Sequence, residues 1–125
     1  MSTNISAYLG NKVVRWVGAQ AMPSAPTTTY IALFRSGSEV TTQINVGGRQ
    51  AITWSVPASG STTTMTNSAD TDFGASANAQ DVDEVRIYDA STSGNLLFSK
   101  TITLVSVGAG EDVKVKAGDL SVDVS

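Results

Sequence analysis

The chain has 125 residues, eight basic against eleven acidic, a formal net charge of −3, and neither cysteine nor histidine. That length suits one domain, 1–125, with a core of its own; the faintly acidic balance excludes a domain held to nucleic acid by a basic stripe. Missing cysteine and histidine exclude disulfides, thiolate zinc sites, cysteine nucleophiles and Ser-His-Asp triads, and no apolar run reaches the ~20 residues of a membrane span.

In chain order, residues 4–21 predict the one amphipathic helix: Ile5, Leu9, Val13 and Val17 recur at i+4, and Trp16 widens the stripe. Ser2, Thr3 or Asn4 is expected to cap it, and Pro23 and Pro26 mark its end. Gly10 and Gly18 each cost about 1 kcal/mol relative to alanine, so packing must hold the helix. It is expected to close one face or end of a sheet, because its basic residues are too few for a membrane-surface helix. Lys12 and Arg15 interrupt the apolar stretch, unlike a signal peptide, which points to folding in a cytoplasm.

A β-rich part is expected over 27–125. Thr27 to Phe34 is apolar on both parities after Thr29, as a central strand would be. Arg35 to Ser38 turns the chain, 39–46 is an edge strand or a long loop, and Gly47-Gly48 bends it. Ile52, Trp54 and Val56 alternate with Thr53 and Ser55 in a half-buried strand ended by Pro57. Residues 58–63 read as loop, Thr62 to Asn67 as a short strand, Asp72-Phe73 as the start of another, and 74–80 as loop. Val85 and Ile87 alternate with charged neighbours; Asp89 to Gly94 forms a turn; Leu96, Phe98, Ile102 and Leu104 share one parity. Val113 and Val115, then Leu120, Val122 and Val124, complete four strands joined by short turns, which implies antiparallel pairing. Seven to nine short strands at this spacing predict a mainly β fold: an antiparallel β-sandwich or jelly-roll-like domain with one N-terminal helix.

Searching for chemistry returns little. Asp70, Asp72, Asp81, Asp83 and Glu84 form the one carboxylate-rich region, but the calcium-loop spacing is missing and aspartates at strand boundaries usually form turns. Trp54 is in phase with core positions, and Gly47-Gly48-Arg49 lacks the context of a phosphate loop, leaving Arg49 as a surface or interface hydrogen-bonder. No nucleophile has a base, so the expectation is a non-enzyme with no metal and no cofactor.

The order of segments carries a resemblance. ISAYLGNKVVRWVGA precedes PTTTYIALFRS, then GGRQAITWSVPA, DEVRIYDASTSGNLLFSKTIT and a closing AGDLSVDVS. Over nearly the whole chain this resembles small virion proteins of tailed bacteriophages, tail-fibre or minor structural proteins, of which some act as capsid decoration or cement proteins. Those relatives often carry a longer, Asp- and Gly-rich stretch where 36–46 is short and Thr-rich here.

The resemblance implies a structural protein of the virion, assembled in the host cytoplasm. The first expectation is a cement protein on the capsid exterior that binds the major capsid protein as a homotrimer, with no direct nucleic-acid or membrane partner. Low charge and many hydroxyls suit contacts made by shape and neutral hydrogen bonds. Interface candidates are Ile5, Leu9 and Trp16 on the helix, Arg35 and Arg49 at the 35–48 loop, and Ser59 in the 57–63 loop. The alternative is a tail-fibre or adsorption protein binding a host-surface glycan, with Trp54, Tyr88 and Asp83 as first candidates. A head–tail connector would need more charge than this chain has.

Overall fold

The computed structural model describes residues 4–123. These begin with β1 (Asn4–Ile5), α1 (Ala7–Val17), β2 (Thr29–Arg35), β3 (Ser38–Glu39), α2 (Thr41–Ile44) and β4 (Gln50–Ile52). There follow β5 (Trp54–Ser55), β6 (Thr64–Asn67), β7 (Thr71–Ala75), β8 (Gln80–Tyr88), β9 (Leu96–Val107), β10 (Asp112–Val115) and β11 (Ser121–Asp123). One layer is a six-stranded sheet in the order β1-β9-β8-β2-β3, with β4 also paired to β2; the other combines β11-β6-β5 and β10-β7. Every pairing is antiparallel. Ile31, Leu33, Val85, Ile87 and Phe98 from the large sheet meet Phe73, Leu120 and Val122 from the other layer, with Trp54 and Met65 packed around them. The fold is thus a mainly antiparallel β-sandwich with one N-terminal helix.

As expected, β2 is central and Ile31 to Phe34 are all buried. Its one parity feeds the core, and the other faces outward and is covered there by side chains of its own sheet. The polar gap where β2 loses its neighbour is closed by α2. The Thr41 hydroxyl, fully buried, accepts from the Leu33 amide at 2.9 Å and donates to Glu39 Oε2 at 2.8 Å. A ladder amide that would otherwise be buried unpaired is satisfied by a side chain.

Several expectations are corrected. The helix is Ala7–Val17, not 4–21, because Asn4 and Ile5 pair with Ser99 and Phe98 as a strand. Its cap is Ser6, whose Oγ accepts from the Leu9 amide at 3.0 Å, rather than Ser2, Thr3 or Asn4; the first two lie outside the described residues. The segment 39–46 holds β3 and α2 rather than a single strand or loop. The strand expected over 52–56 is split between two sheets, β4 and β5, so Val56 is 77% exposed although its parity matches Ile52.

Parity also fails in β9. Val82 opposes Val105 while Glu84 opposes Thr101, so the register shifts there, and Leu104 is 49% exposed. Only β8 and β9 of the four C-terminal strands pair with each other; β10 returns to β7 and β11 to β6. Antiparallel pairing holds, but sequential pairing does not. Val124 lies outside the described residues.

Asn67 is the device that fixes the return of β11. Buried in the core, it accepts from the Leu120 amide at 2.9 Å and donates to the Lys116 carbonyl at 2.8 Å. Its backbone carbonyl accepts from Gly118 and its amide donates to the Leu120 carbonyl, both at 3.0 Å. One residue therefore makes four of the hydrogen bonds that hold the 116–120 turn.

Candidate functional site

The alternation of β2 and β8 that sends Ile31, Leu33, Val85 and Ile87 inward sends Ala32, Phe34, Glu84, Arg86 and Tyr88 outward. Across the small Ala32, the rings of Phe34 and Tyr88 stack with centroids 6.3 Å apart and planes 14° from parallel. Arg86 lies over Phe34 at 4.0 Å and Arg49 over Tyr88 at 3.8 Å, so each ring carries a guanidinium. Glu84 holds Arg86 through two hydrogen bonds of 3.1 and 3.2 Å. Phe34 is consequently 4% exposed on a face that carries no second layer.

Arg49 is the centre of this surface. Its Nε and Nη2 fork onto Glu39 at 3.0 and 2.9 Å, and its Nη1 donates to the carbonyls of Ala90 and Ser93 at 3.1 and 2.8 Å. The side chain is 8% exposed. That guanidinium, hydrogen-bonded to Glu39, holds the carboxyl below its usual pKa, with the Thr41 hydroxyl adding to the effect against the opposing cost of burial. Arg49 thus ties the 47–49 bend and β3 to the 89–95 turn.

The 89–95 turn is itself rigid. Asp89 accepts from the amide and the side chain of Asn95 at 2.7 and 3.0 Å, and the amide bond lowers the pKa of Asp89. Ser93 and Gly94 both take positive φ, 52° and 77°, and a Cβ at Gly94 would meet Asp89 Oδ1 at 2.6 Å. Between this turn, α2 and the 47–49 bend lies a pocket of about 240 Å³, with Glu39 and Arg49 beside it and Thr42, Gly48, Ser91 and Thr92 around it.

A second surface is different in kind. Leu9 packs against the core from α1, and Val13 is half-buried, but every residue from Val14 to Thr27 is exposed. Val14 is 71%, Trp16 62% and Val17 75% exposed, and Met22 follows at 42% in the returning segment. Arg15 is the single charged residue in this stretch. The helix stops at Gly18, with Ala19 at φ 68°, so the apolar stripe runs on past the body it packs against.

The interface candidates therefore separate. Ile5, Leu9 and Trp16 share the N-terminal segment, of which Trp16 is the most exposed; Ser59 lies in an exposed loop. Arg35 pairs with Asp83 at 2.9 Å, half open to solvent, and Arg49 is spent on bonds within the chain. The three glycan candidates are each engaged within the chain. Arg49 covers Tyr88, Asp83 binds Arg35 and the Ser36 amide, and the Trp54 indole donates to Thr29 Oγ1 at 2.9 Å while packing on the core.

The carboxylate-rich region disperses in the same way. Asp70 accepts from the Ala117 amide, Asp72 from Gly74, and Glu84 from Arg86. Among the described residues no three acidic side chains converge on one cavity. Among them, too, no helix is long and apolar enough to cross a membrane.

Compared with known families, residues 4–123 match the family described as podophage GP4 fiber I protein gp80. The match spans nearly the whole chain, and the chain belongs to that family. It is a structural protein of a tailed-phage virion. A comparison with curated proteins finds no match.

Proposed function

We propose that this member of a podophage fiber family is a non-enzymatic fibre subunit that anchors through its N-terminal segment and presents the β body outward for adsorption. The observation that carries this is the unbroken exposure of Val14 to Thr27, with Val14, Trp16, Val17 and Met22 among residues bearing one charge. A large aromatic and three aliphatic side chains in water are the mark of a surface that becomes buried on assembly. A closed homotrimer is the natural assembly, because three heterologous contacts of one kind close a ring without exhausting the rest of the surface. The family's description as a fiber protein supports the tail over the head.

The competing placement is on the head, with the same segment seated on the major capsid protein as cement. Gold labelling of an affinity tag appended after Ser125, imaged on purified virions, separates the two. Label on the fibres is the expected result. Even label over the head, at copy numbers comparable with the capsid lattice, overturns the fibre assignment.

A further inference from the structure

We infer that the pocket between the 89–95 turn, α2 and the 47–49 bend is a subsite for one neutral sugar unit, bound through its hydroxyls. Its biological setting rests on the fibre assignment, but its chemistry stands on the geometry alone.

The volume of about 240 Å³ lies below the ~300–1,000 Å³ of sites for drug-sized ligands and is on the scale of a single hexose. Its polar groups are the Glu39 carboxylate and the hydroxyls of Thr42, Ser91, Thr92 and Ser93, set in a lining of which carbon makes the larger share, as the C–H faces of a sugar ring require. All four residues are exposed and none of their hydroxyls has a hydrogen-bond partner among the described residues, so each can exchange its water for a ligand. A hydroxyl both donates and accepts, and a carboxylate accepts at two oxygens. Glu39 Oε1 receives one internal bond and Oε2 two, so acceptor capacity remains on the oxygens. A ring of sugar hydroxyls, each a donor and an acceptor, is the matching ligand.

Neutrality follows from the same bonds. Of the five N–H groups on a guanidinium, Arg49 commits four, to Glu39 twice and to Ala90 and Ser93. It has no free fork with which to grip a second carboxylate, and Glu39 repels one. Uronic and sialic acids are therefore disfavoured. The site is also preorganised: Arg49 and Asp89 fix the turn, and Ser93, at an uncommon positive φ, has its carbonyl held by the guanidinium. No aromatic face lines the pocket, since Tyr88 is already covered, so affinity per site is weak and gains from several copies on one fibre.

The test is a titration of the isotopically labelled full chain, followed by amide NMR, with glucose, galactose, mannose and N-acetylglucosamine, and glucuronate as the anionic control. Saturable shifts at Thr42, Gly48 and 91–93 with at least one neutral sugar are expected, and none with glucuronate. Thr42→Val with Thr92→Val removes two hydroxyls at constant shape and should weaken binding at least about tenfold, some 1.4 kcal/mol. Ser91→Ala provides a second, milder loss should the double variant be poorly folded. No saturable shift up to about 100 mM of any neutral sugar, far above a millimolar Kd, overturns the inference. So does binding that leaves the pocket amides unmoved, or equal binding of glucuronate. Sugar binding by a protein whose label decorates the head would keep this site and refute the fibre assignment; fibre label without sugar binding would do the reverse.

Discussion

The outward face of the large sheet and the second half of α1 both carry large apolar side chains with no second layer over them, yet they end in opposite states. On the sheet, Phe34 is 4% exposed, because Arg86 and the Tyr88–Arg49 stack close over it and each guanidinium has its own carboxylate. On the helix, Trp16 is 62% exposed, although Arg15 is its neighbour in sequence. The sheet face is complete within one chain. The helix end stays open to solvent, and the contrast separates apolar surface that serves stability from apolar surface to which the proposed function assigns assembly.

The sharpest way to break this contrast is Phe34→Ala. If the arginine cover makes the outer face a core, the variant loses about 3–4 kcal/mol in urea denaturation, as for a buried phenylalanine; a loss under about 1 kcal/mol would put Phe34 with the solvent-facing residues. Arg49→Ala comes next, at about 2 kcal/mol for lost charge-assisted hydrogen bonds. Arg49→Lys should recover only part of it, since an ammonium cannot fork onto Glu39 while spanning two carbonyls. Gly10→Ala should act in the other direction, raising stability by about 1 kcal/mol, because a Cβ there meets nothing within 4 Å inside a helix.

The pH response is smaller and has a definite sign. Glu39, held below its usual pKa first by the Arg49 hydrogen bond, contributes stability that is present above the unfolded carboxylate value and lost as pH falls through the folded one. Denaturation midpoints should therefore drop on acidification from pH 6 to about pH 3, and part of that slope should vanish in Arg49→Ala. The smallest effect on folding belongs to Trp16→Ser, within about 0.5 kcal/mol for an exposed site. Its expected consequence is instead loss of the oligomer in sedimentation and of incorporation into virions. A monomeric wild type, or a variant that assembles normally, would remove Trp16 from the anchor.

How much of the site was legible follows from the range of each signal. The Asp89 to Gly94 cluster is recognisable as a turn, and Gly47-Gly48 as a bend, because turn chemistry is written in neighbouring residues. That the two meet around a pocket depends on Arg49 reaching residues more than forty positions away, and nothing local announces it. Trp54 and Tyr88 differ in this respect: the phase of Trp54 with Ile52 already favoured the core, where it packs, whereas only the tertiary structure capped Tyr88 with Arg49.

By itself the sequence determined the fold class, the central position of β2, the antiparallel pairing and the existence of an amphipathic N-terminal helix. These rest on short-range periodicity, on glycine and proline punctuation, and on turns too short for crossovers. Only the tertiary structure decided where the helix stops being covered, which strands β10 and β11 join, where bulging breaks the parity of β9, and that Arg49 is a latch within the chain. Those outcomes depend on contacts between residues far apart in sequence, such as Asn67 with Leu120 and Arg49 with Ser93, whose geometry exists only once both layers have come together.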